Sequence, residues 1–186
     1  MEVFASAGFR SGSLRDVAER VGMSQAGLLH HFPSKNGLLE ALLARRDVDS
    51  LALMGEELPR GVEYLRAMVR VIEHNVETPG LVALFTTLSA EATAPDHPVH
   101  QYFLDRYRLV VDRVRRALEA AAEDGLLRDG VDIDGTAHDF VALMDGLQVQ
   151  WLLEPDTVDM PARVRDFAQS LVTVELWPGE RERSAA

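Results

Sequence analysis

Residues 13–39 read SLRDVAERVGMSQAGLLHHFPSKNGLL, and the punctuation of this stretch decides the fold. Ser13 is a helix N-cap, and Asp16 three residues on can return the bond as in a capping box. Leu14, Val17, Ala18 and Val21 then mark one face of a short helix. Gly22 stands where a residue in the left-handed region would end that helix. Met23 is apolar and is expected to plug the turn, and Ser24 caps a second helix. Leu28 and Phe32 are four apart and face the core. Pro33 ends the helix, because the residue before a proline is pushed out of the helical region. Ser34 caps a third helix that begins Lys35-Asn36-Gly37 and continues through Leu38, Leu39, Leu42 and Leu43. Two short helices joined by a tight glycine-containing turn make a helix-turn-helix.

Such a unit reads DNA when its second helix is slim enough at its start to enter the major groove. Gln25, Ala26 and Gly27 meet that condition. Gln25 can pair bidentately with adenine, Ala26 can touch a thymine methyl, and Gly27 lets the backbone come close. His30, and Lys35 at the head of the next helix, can reach phosphate. The same caps and leucine pairs also fit an ordinary helical hairpin, and the residues by themselves leave both readings open.

As a whole, residues 13–39 resemble the DNA-binding signature of the TetR family. That signature has Thr or Ser, Ile/Val-Ala, a Gly-hydrophobic-Ser turn and a short recognition helix ending near His-Phe, then Lys and Leu. Ser13, Val17, Ala18, Val21, Gly22, Met23, Ser24, Leu28, His31, Phe32, Lys35 and Leu38 take those places. Phe4, Gly8 and Phe9 resemble the end of the family's first helix. The resemblance implies an all-α fold. An N-terminal helix-turn-helix three-helix domain precedes a C-terminal helical ligand-binding and dimerisation domain. It implies a one-component regulator, a repressor released from operator DNA by a small molecule. The implied DNA-facing set is Ser13, Ser24, Gln25, Ala26, Gly27, Leu29, His30 and Lys35. Leu29 departs from the family, which often has Tyr there for a phosphate; leucine can only pack, so that contact is either lost or carried by His30. The family's basic N-terminal arm and most of its first helix have no counterpart in this sequence. Residues 1–7, with Val3, Phe4 and Ala7 inward, read as the last turns of that helix.

Working outward, the chain of 186 residues is helical in pattern almost throughout: Ala, Leu, Glu and Arg dominate, and apolar residues recur at three and four. Breaks fall at residues 8–12, Gly22, Phe32-Pro33-Ser34, Leu58-Pro59-Arg60-Gly61, Thr78-Pro79-Gly80 and residues 94–98, 125–135 and 154–161. They delimit roughly nine helices. The expected division is 1–47 for the DNA-binding domain, 48–178 for the effector and dimer domain, and 179–186 for a frayed tail. Charge follows this division. The net charge is −11, but residues 1–47 hold six Lys/Arg and five Asp/Glu while the rest holds 13 and 25. Only the N-terminal part escapes repulsion from phosphate. There is no cysteine, which excludes disulfides, thiolate chemistry and Cys-ligated zinc and favours a cytoplasmic home. No secretory signal and no apolar run of membrane-spanning length is present, so no membrane partner is expected.

The C-terminal part says less. Met68, Ile72, Phe85, Phe103, Tyr107, Met144, Gln148 and Trp151 lie on helical stripes and are the candidate liners of an effector pocket. Such a pocket suits an apolar or amphipathic small molecule. Met and aromatic stripes equally make ordinary core. By the resemblance, the last two helices pair with their copies in a homodimer. Ala142, Gly146 and Val149 offer a small-residue seam, and Phe167, Leu171 and Val174 a stripe. Enzyme readings find little support. The pair His138-Asp139 resembles an HD metal phosphohydrolase, which would recruit His74, His97, His100, Glu91 or Asp96, but the spacing is unconvincing. His97 and His100 flank Pro98 and read as solvated loop histidines. No phosphate loop or nucleophile motif occurs, and no metal or cofactor is expected. The remaining alternative, a helical adaptor that binds only protein, would leave Gln25, Ala26 and Gly27 without purpose.

Overall fold

The computed structural model describes residues 13–178, so the expectations for residues 1–12 and for the tail 179–186 lie outside the described residues. It holds eight helices among them: α1 Leu14–Arg20, α2 Gln25–His31, α3 Lys35–Met54, α4 Val62–Glu77, α5 Pro79–Glu91, α6 His100–Glu123, α7 Ile133–Leu153 and α8 Met160–Leu171. Each expected break from Gly22 onward marks a junction between two of them, although Pro79-Gly80, residues 133–135 and residues 160–161 already form the first turns of α5, α7 and α8. A single antiparallel bridge, Leu127 with Val172, is the extended pairing recorded among the described residues.

The described residues form two compact units, one of residues 13–52 with His74–Arg108 and the other of Leu53–Glu73 with residues 109–178. In the first unit α5 and the start of α6 pack with the N-terminal helices. In the first unit Val17 and Ala18 of α1, Leu28 of α2 and Leu38, Leu39 and Leu43 of α3 form one core. Leu84, Phe85, Leu88, Ala92, Val99 and Phe103 complete it. Each fully buried Leu or Phe contributes about 1.5–3 kcal/mol, so the short α1 and α2, marginal alone, are held by this packing. Leu14, Phe32 and Leu42 close its edge.

The turn between α1 and α2 is a Schellman motif. Gly22 has φ +71°, its N–H donates to the Glu19 carbonyl, and the Met23 N–H donates to the Ala18 carbonyl. Two expectations fail here. Val21 is 59% exposed and Met23 38% exposed, so neither belongs to the core. The motif swings the chain away from the apolar face of α1 at Val21, and the hydrogen bonds, not a Met23 plug, hold the turn.

In the second unit the buried faces are Leu65, Met68 and Ile72 of α4, Val114, Leu118 and Ala121 of α6, Phe140, Met144, Leu147 and Trp151 of α7, and Met160, Val164 and Ala168 of α8. Asp132 caps α7 through the Gly135 N–H at 3.2 Å, and Asp159 caps α8 through the Ala162 N–H at 2.9 Å. The segment after α8 is strapped down. Gln169 accepts from the Leu176 N–H and donates to the Val174 carbonyl, each at 2.8 Å. Arg66 Nε donates to the Leu176 carbonyl, also at 2.8 Å.

Candidate nucleic-acid interface and ligand-domain surfaces

Helix α2 is held from beneath and bare above. Leu28 is buried at 4% exposure, while Gln25, Ala26, Leu29 and His30 are exposed. The Ser24 Oγ accepts from the Gly27 N–H at 3.0 Å, and the Ser13 Oγ accepts from the Asp16 N–H at 3.1 Å. Both hydroxyls keep their proton for an outside acceptor. A Cβ on Gly27 would stand 3.2 Å from the Ser24 Oγ, so glycine there keeps the cap tight as well as the helix slim. Ser34 caps α3 through the Gly37 N–H at 3.0 Å, leaving Lys35 as its first residue. Burial pulls the Lys35 ammonium below the usual lysine range, and the Glu91 charge offsets this only in part. The eight expected DNA-facing residues thus lie on α2, the two caps and the start of α3.

A group of residues that the sequence reading missed joins α3 to α6 within the same unit. Arg46 is 5% exposed, and its guanidinium lies 3.8 Å from the centroid of the Phe85 ring. Asp47 accepts from the Tyr102 hydroxyl at 2.8 Å and from the Arg106 guanidinium. Burial is the main reason the Tyr102 phenol titrates well above the usual tyrosine range. Spacing could have found Arg46: it follows Leu39 and Leu43 on the buried stripe of α3, where an arginine requires partners.

The expected pocket liners fall in both units. Phe85, Phe103 and Tyr107 belong to the first, with Phe85 and Phe103 rings 5.0 Å apart and Tyr107 half-buried. Met68, Ile72, Met144, Gln148 and Trp151 belong to the second and are buried. An open cleft on the second unit, about 450 Å³, is lined by none of the eight; Leu58, Pro59, Arg60, Tyr64, Leu109 and Arg113 are among its walls. Of the expected dimer residues, Ala142, Gly146 and Val149 lie on the exposed face of α7, together with Leu153 at 76% exposure. Phe167 and Val174 are half-buried, and the Phe167 ring packs 5.7 Å from Phe140. Leu171 is only 7% exposed: it is turned into the chain's own core and has little surface to give a partner.

His97 is not a solvated loop residue. Its side chain is 2% exposed with Nε2 3.6 Å from the Glu91 carboxylate, and the Val99 N–H donates to its Nδ1 at 3.4 Å. The His100 Nδ1 lies 2.8 Å from the Ala92 carbonyl. Both rings help to fold the connection between α5 and α6. His138 and Asp139 lie exposed on α7. Among the described residues no group of three or more His, Cys, Asp or Glu is placed to hold a metal ion. No described helix is long and apolar enough to cross a membrane.

Comparison with known proteins agrees with this geometry. Residues 1–42 match the model for bacterial regulatory proteins of the tetR family, and residues 61–176 match that for the C-terminal domain of BetI-type transcriptional repressors. The chain is 28% identical over 169 residues to the HTH-type transcriptional repressor AcnR of Corynebacterium diphtheriae, covering 91% of this chain and 85% of that one. It is 25% identical over 171 residues to the HTH-type transcriptional regulator UidR of Escherichia coli K12, covering 91% and 84%. A solved structure of a transcriptional regulator from Saccharomonospora viridis, in complex with choline, superposes with a TM-score of 0.73 at 25% identity, covering 93% of each chain.

Proposed function

Because the chain belongs to the TetR family of DNA-binding transcriptional regulators, with a C-terminal domain of the BetI repressor type, we propose that it reads operator DNA through the N-terminal end of α2. The family is one of ligand-responsive transcription factors and not of enzymes. Gln25, Ala26 and Gly27 take the base edges; Ser13, Ser24, His30 and Lys35 take phosphates; Leu29 packs against the backbone sugar. The observation that carries this is the exposed, capped and slim end of α2 above a buried Leu28.

The functional division remains a reading head up to about residue 47 and an effector and dimer part beyond it. Two chains pair through the exposed line Ala142, Gly146, Val149 and Leu153 on α7, helped by Phe167 and Val174 near α8. The pair presents two α2 helices to a near-palindromic site, at about 34–36 Å or more. The protein acts in the cytoplasm, where it meets the chromosome. A small apolar or amphipathic molecule favours a conformation whose reading heads no longer match the half-sites, so effector and DNA weaken each other reciprocally. The junction of Asp47 with Tyr102 and Arg106 connects α3 to α6 and so gives such a change a path to the reading head.

Fluorescence anisotropy with DNA from upstream of the gene, against a scrambled duplex at several salt concentrations, tests the reading. Preference for the native fragment, with affinity falling as salt rises, supports it. Gln25→Ala should relax preference at one base position, whereas Lys35→Ala should weaken all sequences and reduce the salt slope by about one. If both variants behave alike, the division into base and phosphate contacts is wrong.

A further inference from the structure

The cleft on the second unit has a chemistry of its own. Its apolar wall is Leu58, Pro59, Tyr64, Leu109 and Ala117, with Leu58 and Leu109 each 47% exposed at its rim. A volume of about 450 Å³ falls within the roughly 300–1,000 Å³ of small-molecule sites. Three arginines and one aspartate border it: Arg60, Arg113, Arg116 and Asp112. Most of these charges are already committed. Arg60 pairs with Glu123 and Asp124, each at 2.6 Å. Asp112 is shared between Arg115 and Arg116. Arg113 is half-buried and among the described residues has no hydrogen-bond or ion-pair partner. An arginine left unmatched beside leucines and a buried tyrosine is a fixed cation without an anion.

We infer that this cleft binds an apolar small molecule carrying one carboxylate, with the carboxylate on the Arg113 guanidinium and the apolar body along Leu58, Pro59, Tyr64 and Leu109. The guanidinium offers a planar fork that matches a carboxylate bidentately. The leucines at the rim lose water when an acyl or aryl group covers them. A quaternary ammonium cannot pair with the Arg113 guanidinium, so choline is the discriminating control. The inference rests on the ligand-responsive reading above and names its ligand class.

The test is calorimetric titration of the full chain with octanoate, octanamide and choline, all below any micellar range. Octanoate should saturate one site per chain, and octanamide and choline should bind about tenfold more weakly or worse. Arg113→Gln should lower octanoate to the octanamide level without moving the melting temperature, since Arg113 bonds to nothing else described. Arg113→Lys should restore part of the affinity. Leu109→Glu, a change at the rim, should also reject octanoate. Equal binding of octanoate and octanamide, or an Arg113→Gln chain that binds octanoate like its parent, overturns the assignment. A separate anisotropy measurement keeps the two ideas apart. Arg113-dependent octanoate binding by a chain that ignores operator DNA upholds the cleft and sinks the regulatory reading. Operator binding without any octanoate binding does the reverse.

Discussion

Replacing Asp47 by alanine strikes the point at which α3 is tied to α6, and the size of the effect can be worked from the contacts. The carboxylate accepts from the Tyr102 hydroxyl at 2.8 Å and from Arg106. It also stands 3.9 Å from Arg46. A neutral hydrogen bond contributes about 1 kcal/mol, and one to a charged group, as both of these are, about 1.5–3 kcal/mol. Asp47 and Arg106 are 29% and 20% exposed in their side chains, so the charged contact belongs at the lower end of its range after solvent screening. Removing the carboxylate also leaves two guanidiniums, Arg46 at 3.8 Å and Arg106 at 5.2 Å from the Phe85 centroid, with no charge between them. The expected cost is about 2–3 kcal/mol, or about 5–10 °C in melting temperature for a chain of this size. Urea denaturation followed by circular dichroism measures it. A double-mutant cycle with Tyr102→Phe should return a coupling of about 1 kcal/mol. A loss below about 0.5 kcal/mol, the range of ordinary surface changes, would show that the junction contributes nothing and would remove the proposed path from α6 to the reading head.

Three further changes probe other links of the same chain. Gly22→Ala should cost about 1 kcal/mol in the same denaturation assay. The residue has φ +71° and nothing lies within 4 Å of an added Cβ, so the cost is backbone strain and not a clash; a neutral result would remove the Schellman turn as a reason for the helix-turn-helix. Ser24→Ala should cost about 1 kcal/mol through loss of the α2 cap. Ser24→Asp keeps a capping acceptor and should preserve the melt while lowering operator affinity about tenfold or more, since it brings a negative charge to the proposed phosphate contact; unchanged affinity by anisotropy would take Ser24 off the interface. Val149→Glu changes a residue 44% exposed on α7, so the monomer should fold as before while sedimentation velocity shows the dimer weakened; an unaltered dimer would move the interface elsewhere.

What the sequence discloses follows the range over which each feature is determined. The turn from α1 to α2 is local. Ser13, Gly22, Ser24 and Pro33 act within four residues of themselves, so residue type and spacing reveal both the elements and the exposed end of α2. Val21 and Met23 misled because apolarity is a statement about transfer from water, while their placement is fixed by the backbone path that Gly22 imposes. His97 misled in the other direction. Beside Pro98 it has the neighbours of a solvent loop, yet packing of the connection between α5 and α6 buries it next to Glu91. The division into units and the cleft are further from view, because both depend on segments distant in sequence. Residues 58–64 and 109–117 meet only after folding, and Arg113 is one of several charged residues along α6, distinguished by having no carboxylate left to pair with. Spacing alone carries no record of which arginine a neighbouring acid has already claimed. A regulator's reading head therefore shows in its sequence because DNA presents the same backbone and grooves to every such protein. Its ligand site is specified by long-range coincidences of charge and apolar surface, and these have to be read from the folded chain.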